Sequence, residues 1–135
     1  MASIDELEVG QSATYERTVN EDDIVRFADI SGDDNPVHLD EEFAAKTLFK
    51  GRIAHGMLAA AFISTTVGTK LPGYGCIYVS QSLKFKAPVR IGDTVTTTAT
   101  VKAVDKERKR VTMETVCAIG EKIVVEGEAE LMLTS

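Results

Sequence analysis

Between Gly56 and Gly68 the chain reads G-M-L-A-A-A-F-I-S-T-T-V-G, with no charged residue and no strongly polar side. A short helix of that composition has no face suited to water, so other structure has to cover it. It is also too short to cross a bilayer, which takes roughly 20 apolar residues. L-P-G at Leu71–Gly73 stops it. Whatever else the chain forms must wrap this helix.

The second half offers the wrapping. Residues 77–87 place Ile77, Val79, Gln81, Leu83, Phe85 and Ala87 at alternate positions. Residues 95–103 place Val95, Thr97, Ala99, Val101 and Ala103 in the same way. The pattern repeats with Val111, Met113, Thr115, Cys117 and Ile119, and again with Ile123, Val125, Gly127, Ala129, Leu131 and Leu133. Alternation with period two predicts half-buried antiparallel strands. Turns at Asp105–Lys109 and Gly120–Glu121 predict two hairpins. One antiparallel sheet wrapped around one buried central helix satisfies both halves of the pattern. That is an α+β, hot-dog fold, and 135 residues suit a single domain over 1–135.

The first half is mixed. A weakly alternating strand is expected over 9–19, with Ala13, Tyr15, Arg17 and Val19 on one face. Asn20 then caps a helix whose first turn is acidic, as the helix dipole favours, and Gly32 ends it. D-D-N-P-V-H-L-D follows as a polar loop, and Asp40 can cap a second short helix, E-E-F-A-A-K.

Composition narrows the classes of function. The formal net charge is −6, whereas a nucleic-acid binder presents a basic face to phosphates. The dense basic run Lys106, Arg108, Lys109, Arg110 reads as an exposed hairpin turn. Neither a nucleic acid nor a membrane is therefore expected as a partner. The opening M-A-S-I-D-E-L-E-V-G is acidic and lacks the basic-then-apolar pattern of a signal peptide, so a cytoplasmic location is expected. Cys76 and Cys117 form no C-x-x-C motif and read as two reduced core thiols.

Chemistry concentrates at two places. In D-D-N-P-V-H-L-D, Asp33 precedes His38 by five residues, and Pro36 stiffens the segment between them. Imidazole titrates near neutral pH, so the two can serve as an acid–base pair around one water. The same residues are also ordinary turn chemistry after a helix. Asp33, Asp34, His38 and Asp40 could ligate a metal, but nothing else in the chain completes a ligand set. The second place is I-A-H-G-M-L. A helix N-terminus offers unpaired amides and a positive dipole end, and Gly56 lets a carbonyl approach the backbone. That amide could stabilise the enolate oxygen formed when a thioester is attacked at its β-carbon; a tight strand-to-helix turn is the plainer reading of the glycine. His55 reads as a capping or packing residue. Ser64, a little over two turns after Gly56, and Gln81, on the inner side of its strand, interrupt apolar faces. Each could orient Asp33 or a ligand, or simply bond to backbone.

Taken together these motifs resemble the MaoC-like hydratases, and within them the R-specific enoyl-CoA hydratases of bacteria. The likeness rests on D-D-N-P-V-H-L-D, A-H-G-M-L-A-A, L-P-G, I-Y-x-x-Q-S-L-K-F-K-x-P-V and I-G-D-T-V, in that order, from about Leu7 to Leu133. The resemblance implies a hot-dog homodimer acting on an acyl-CoA thioester. The reaction it implies is reversible syn hydration of trans-2-enoyl-CoA to (R)-3-hydroxyacyl-CoA, without metal or cofactor. In polyhydroxyalkanoate-storing bacteria such enzymes divert β-oxidation intermediates into polymer. By motif position Asp33 and His38 are catalytic, Asn35 lines the pocket, the Gly56 amide binds the thioester oxygen and Ser64 supports Asp33. Val67, Thr66 and Leu131 are expected at the far wall of an acyl pocket between helix and sheet. Lys84, Lys86 and Arg90 are available for the phosphates of coenzyme A.

Rival readings follow from the same fold. A hot-dog thioesterase commonly carries a carboxylate on or near the central helix, and residues 56–69 contain no Asp or Glu. A 3-hydroxyacyl-[acyl-carrier-protein] dehydratase would do the same chemistry on a protein-borne acyl group. A non-catalytic subunit would have lost the dyad, whereas both Asp33 and His38 are present.

Overall fold

The computed structural model describes residues 2–134. A 3₁₀ turn at Ile4–Glu6 leads into β1 (Ser12–Thr18), α1 (Glu21–Ser31), α2 (Pro36–Leu39), α3 (Glu41–Ala45) and the central helix α4 (Gly56–Thr69). The rest is sheet: β2 (Ile77–Gln81), β3 (Lys84–Phe85), β4 (Thr94–Asp105), β5 (Arg110–Ile119) and β6 (Lys122–Met132). The strands form one antiparallel sheet in the order β1-β4-β5-β6-β2, with β3 also paired to β6. α4 lies across β4, β1, β5 and β6. This is the hot-dog architecture expected from the pattern. Among the described residues no helix is long and apolar enough to cross a membrane.

Local chemistry explains most of the element boundaries. The Asn20 side chain accepts from the Asp23 amide while Asp23 reaches back to the Asn20 amide, a reciprocal cap on α1. Gly32 closes α1 in the left-handed region at φ 78°. The Asp40 side chain accepts from the Phe43 amide and starts α3.

The core divides along α4. Leu58, Ala59, Phe62 and Ile63 pack with Val19, Ile24, Val89, Val95, Cys117, Val124 and Val125. One turn further on, Val67 packs with Ala99, Val101, Val111, Met113, Ala129 and Leu131. Burial of such side chains stabilises by about 1.5–3 kcal/mol each, so this seam holds helix and sheet together. Cys117 is fully buried and Cys76 half-buried, and both are free thiols.

Three departures from simple alternation have structural causes. A register shift between Val101 and Ala103 turns Ala103 outward and brings Val104 against the core. A second shift between Cys117 and Ala118 gives β6 an extra residue, so Val124 and Val125 point in and Ile123 is exposed. The segment 77–87 is not one half-buried strand. It breaks at Ser82–Leu83, and Ile77, Tyr78, Val79 and Phe85 are exposed, because β2 lies at the sheet edge beyond the cover of α4. At the break the Ser82 backbone crosses β6 so closely that a Cβ on Gly127 would lie 1.8 Å from the Ser82 oxygen. α4 itself is covered on one side only. Met57, Ala61 and Ser64 are exposed, so the apolar composition of 56–68 overstates its burial within one chain.

Candidate active site

The segment after α1 is shaped by its own short polar side chains. The Ser31 hydroxyl oxygen accepts from the Asp33 amide at 3.1 Å, Asp33 Oδ1 accepts from the Asn35 amide at 3.3 Å, and Asn35 Oδ1 accepts from the Val37 amide at 3.2 Å. Asn35 thereby caps α2, and Pro36 occupies the first helical position, where a missing N–H costs nothing. The expected polar loop therefore contains a helical turn over 36–39. That turn carries His38 inward, to 8% exposure, while Asp33 and Asn35 stay exposed.

His38 is fixed from both sides. Its Nδ1 donates to the Ile53 carbonyl oxygen at 2.8 Å, and its own carbonyl oxygen accepts from Arg52 Nε at 2.7 Å. Arg52 is in turn held by Glu21 at 2.7 and 3.1 Å. With Nδ1–H spent on a carbonyl, Nε2 carries the lone pair. Burial is the main influence holding His38 below the ordinary imidazole range. The Ile53 carbonyl opposes it, nearby His55 adds to it, and Asp33 opposes it.

His55 joins this pair. It is 2% exposed, and its ring stacks on His38 with centroids 3.9 Å apart and planes at 28°. Phe27 packs on it at 4.8 Å. His55 Nε2 donates to the Asp33 carbonyl oxygen at 3.0 Å, and its buried Nδ1 has no partner. The capping expectation fails, since the side chain makes no cap hydrogen bond to α4. The packing expectation holds but is incomplete. One atom each from Asp33, His38 and His55 lies within 4.8 Å of the others. Two stacked rings direct their in-plane lone pairs side by side rather than toward one point, and each ring already spends one nitrogen on a carbonyl. That geometry fits a proton-handling cluster better than a metal cage.

Gly56 is the first residue of α4, directly after His55. The first amides of a helix have no partner within it. A Cβ at Gly56 would lie 2.8 Å from Cδ1 and Cε1 of Phe85, so the aromatic ring rests directly on this helix start. Beside it is a cavity of about 340 Å³, lined by Phe49, Ala54, His55, Gly56, Phe85 and Val125 among others. Lys86 also borders this cavity and is paired with Glu126 at 2.9 Å. Lys84 is exposed on a different groove, and Arg90 donates to the Phe49 carbonyl oxygen.

None of the remaining candidates hydrogen-bonds to Asp33 or His38 among the described residues. Ser64 is on the exposed side of α4 and makes no hydrogen bond among the described residues. Gln81 Nε2 donates to Thr115 Oγ1 at 3.0 Å and to the Ser82 carbonyl oxygen at 2.8 Å, which ties β2 to β5. Val67, Thr66 and Leu131 are fully buried; Val67 and Leu131 share one core cluster, and Thr66 Oγ1 donates to the Phe62 carbonyl oxygen at 2.8 Å.

This fold has counterparts among known proteins. The model of the MaoC like domain matches residues 6–122. The (R)-specific enoyl-CoA hydratase of Rhodospirillum rubrum is 56% identical over 129 residues, covering 96% of this chain and 90% of that one. The solved (R)-hydratase from A. caviae involved in PHA biosynthesis superposes with a TM-score of 0.91 at 43% identity, covering 95% of this chain and 98% of the other. The unliganded R-hydratase PhaJ1 from Pseudomonas aeruginosa also gives 0.91, at 48% identity, covering 97% and 84%. The chain belongs to the MaoC-like hydratase family.

Proposed function

We propose that this chain is an (R)-specific enoyl-CoA hydratase, adding water reversibly and syn across trans-2-enoyl-CoA to give (R)-3-hydroxyacyl-CoA. The observation that carries the reading is the cluster itself. A His38 ring nitrogen and an Asp33 carboxylate oxygen lie within 4.8 Å of each other, His38 Nε2 is left free by the Nδ1 bond to Ile53, and beside them are an unpaired helix-start amide and an apolar cavity. The similarity to hydratases named for this activity supports the same reading.

Each step has a group to perform it. A water held by Asp33 and His38 gives a proton to His38 Nε2 as its oxygen bonds to the β-carbon. The electron pair of the double bond moves toward the thioester oxygen, where the Gly56 N–H receives the charge. The proton then passes from His38 to the Asp33 carboxylate, which delivers it to the α-carbon on the same face. One proton is taken and one given back, so the dyad ends as it began, and no cofactor is called for.

The exposed apolar edge of β2, together with Met57 and Phe85, supports a homodimer. An unpaired apolar edge strand is a liability that a second copy would cover. A cytoplasmic acyl-CoA pool is the expected substrate source.

The test is loss of enoyl absorbance with C4 to C12 enoyl-CoA, with product stereochemistry determined, for the wild type, Asp33→Asn and His38→Gln. Hydration to the R product, cut by about 10²- to 10⁴-fold in each variant with the fold retained, is the expected result. Release of free thiol instead of hydration would make the chain a thioesterase. Activity confined to carrier-protein thioesters would move it to the dehydratases of acyl-carrier-protein substrates.

A further inference from the structure

His55 lies where three parts of the site meet. It immediately precedes the Gly56 amide, its Nε2–H reaches the Asp33 carbonyl oxygen at 3.0 Å, and its ring lies on His38 at 3.9 Å. The bond to Asp33 spans 22 residues of chain. It ties the exposed end of the α1–α2 segment to the helix start, while the stack sets the plane in which His38 can turn. Nothing about the fold alone calls for a histidine here. An apolar ring would fill the space without leaving Nδ1 buried and unpaired, a cost of about 1–3 kcal/mol. A residue that carries such a cost points to what its other nitrogen does.

We propose that His55 is the positioning residue of the Asp33–His38 pair, holding the Asp33 backbone through Nε2–H and the His38 imidazole through its ring face. It carries no bond-making step itself; it acts through the two residues that do. The consequence is pre-organisation. An error of 1 Å in the placement of reacting groups costs on the order of 100-fold in rate, and this one side chain contacts both. The inference rests on the hydratase reading.

Two variants separate the two functions of the ring. His55→Phe keeps an aromatic plate under His38 and removes the donor to Asp33. His55→Gln keeps an amide donor of similar reach and removes the plate. We expect His55→Phe to lower kcat about 10- to 100-fold with KM within about threefold, and His55→Gln to recover part of that loss. The pH profile is the readout that a purely structural residue would not move. The charged and titratable groups around the pair are Asp33, Arg52 with Glu21, and Lys86 at the cavity, all unchanged in both variants. His55 depresses proton binding at His38, so the acidic limb of kcat/KM should shift to higher pH in His55→Phe. A kcat within threefold of wild type would overturn the proposal. So would an acidic limb that stays put while activity falls in step with the folded fraction, or a failure of both variants to fold, either of which would make His55 a residue of the fold alone. If the wild type hydrates no enoyl-CoA, the hydratase reading falls first, and that outcome is distinct from all of these.

Discussion

His38 Nδ1 and the Ile53 carbonyl oxygen are 2.8 Å apart, and that bond settles which ring nitrogen is available for chemistry. A carbonyl oxygen can only accept, so Nδ1 bears the hydrogen and Nε2 the lone pair. Ile53 is itself anchored by its amide to the Val37 carbonyl oxygen at 3.3 Å, so the orienting carbonyl and the oriented ring belong to one short hydrogen-bonded unit.

The protonation behaviour of His38 follows from its burial. Its proton affinity is held below that of a free imidazole, chiefly by desolvation. A base that stays unprotonated to lower pH keeps working there, so the acidic limb of kcat/KM should fall below the ordinary value of about 6.5. Stability follows the same sign. Below about pH 6.5 the unfolded chain binds a proton at His38 that the folded chain resists. The His38 contribution is then that stability falls as the pH drops from there through the folded value. Steady-state rates across pH 4.5–8 check the first statement. Denaturant midpoints of wild type and His38→Gln over the same range check the second, the variant being expected to lose less stability on acidification.

Gly56 and Phe85 constrain each other. A methyl group at residue 56 meets the Phe85 ring at 2.8 Å, a distance at which one of them must move. Phe85 is 54% exposed on a two-residue strand, so the ring can swing away at little cost. Gly56→Ala should therefore fold with a Tm within a few degrees of wild type, yet lose tenfold or more in kcat/KM, because the methyl and the displaced ring crowd the helix-start amide. Adding Phe85→Leu in the Gly56→Ala background should restore part of the activity. Additive losses in the double variant would show that ring and glycine do not share a site.

How far the sequence carried the structure depends on the range of each interaction. α1 was legible because its signals are local: Asn20 and Asp23 cap each other across three residues, and Gly32 closes the far end. The strands were legible in type but not in phase beyond each bulge. One extra residue at Val124 inverts the facing of Ile123, and no composition rule marks the spot. Spacing and resemblance single out Asp33 and His38 as a candidate pair, but the helical turn that carries His38 inward is a single turn and too short to show a period. His55 reads from the sequence as a capping or packing residue because its contacts are tertiary. Its hydrogen bond is to a backbone carbonyl 22 residues earlier, and any residue in that position would supply the same oxygen.

Asp23 closes α1 onto β1. Its carboxylate accepts from Arg17 at 2.6 and 3.1 Å and is almost fully buried, and the Arg17 guanidinium holds its pKa below the usual carboxylate range. A carboxyl group with a depressed folded pKa contributes stability above the unfolded value of about 3.9 and loses it as the pH falls through the folded one. Asp23→Asn should cost about 1–2 kcal/mol at neutral pH, the Arg17 side being partly exposed to water. The difference from wild type should shrink below pH 4. Urea midpoints at pH 7 and pH 3.5 measure both, and a cost that is the same at the two values would assign Asp23 a role in capping alone.

Val67 tests where the acyl chain goes. It is fully buried beside Leu131 and Met113 in the core cluster under the second half of α4, and Leu131 was expected with it at the far wall of an acyl pocket. In the free chain this region is filled, and the open cavity lies by Gly56 and Phe85 instead. Val67→Ala removes two methyl groups from a packed site and should cost about 1–3 kcal/mol. If the acyl tail runs from Gly56 along α4 toward Val67, the vacated volume adjoins its end, and the variant should gain activity on C6 and C8 enoyl-CoA relative to C4. A destabilised enzyme with an unchanged ranking of chain lengths would place the tail in the cavity beside Phe49 and Val125. Substitutions at those two residues should then change the ranking in its stead.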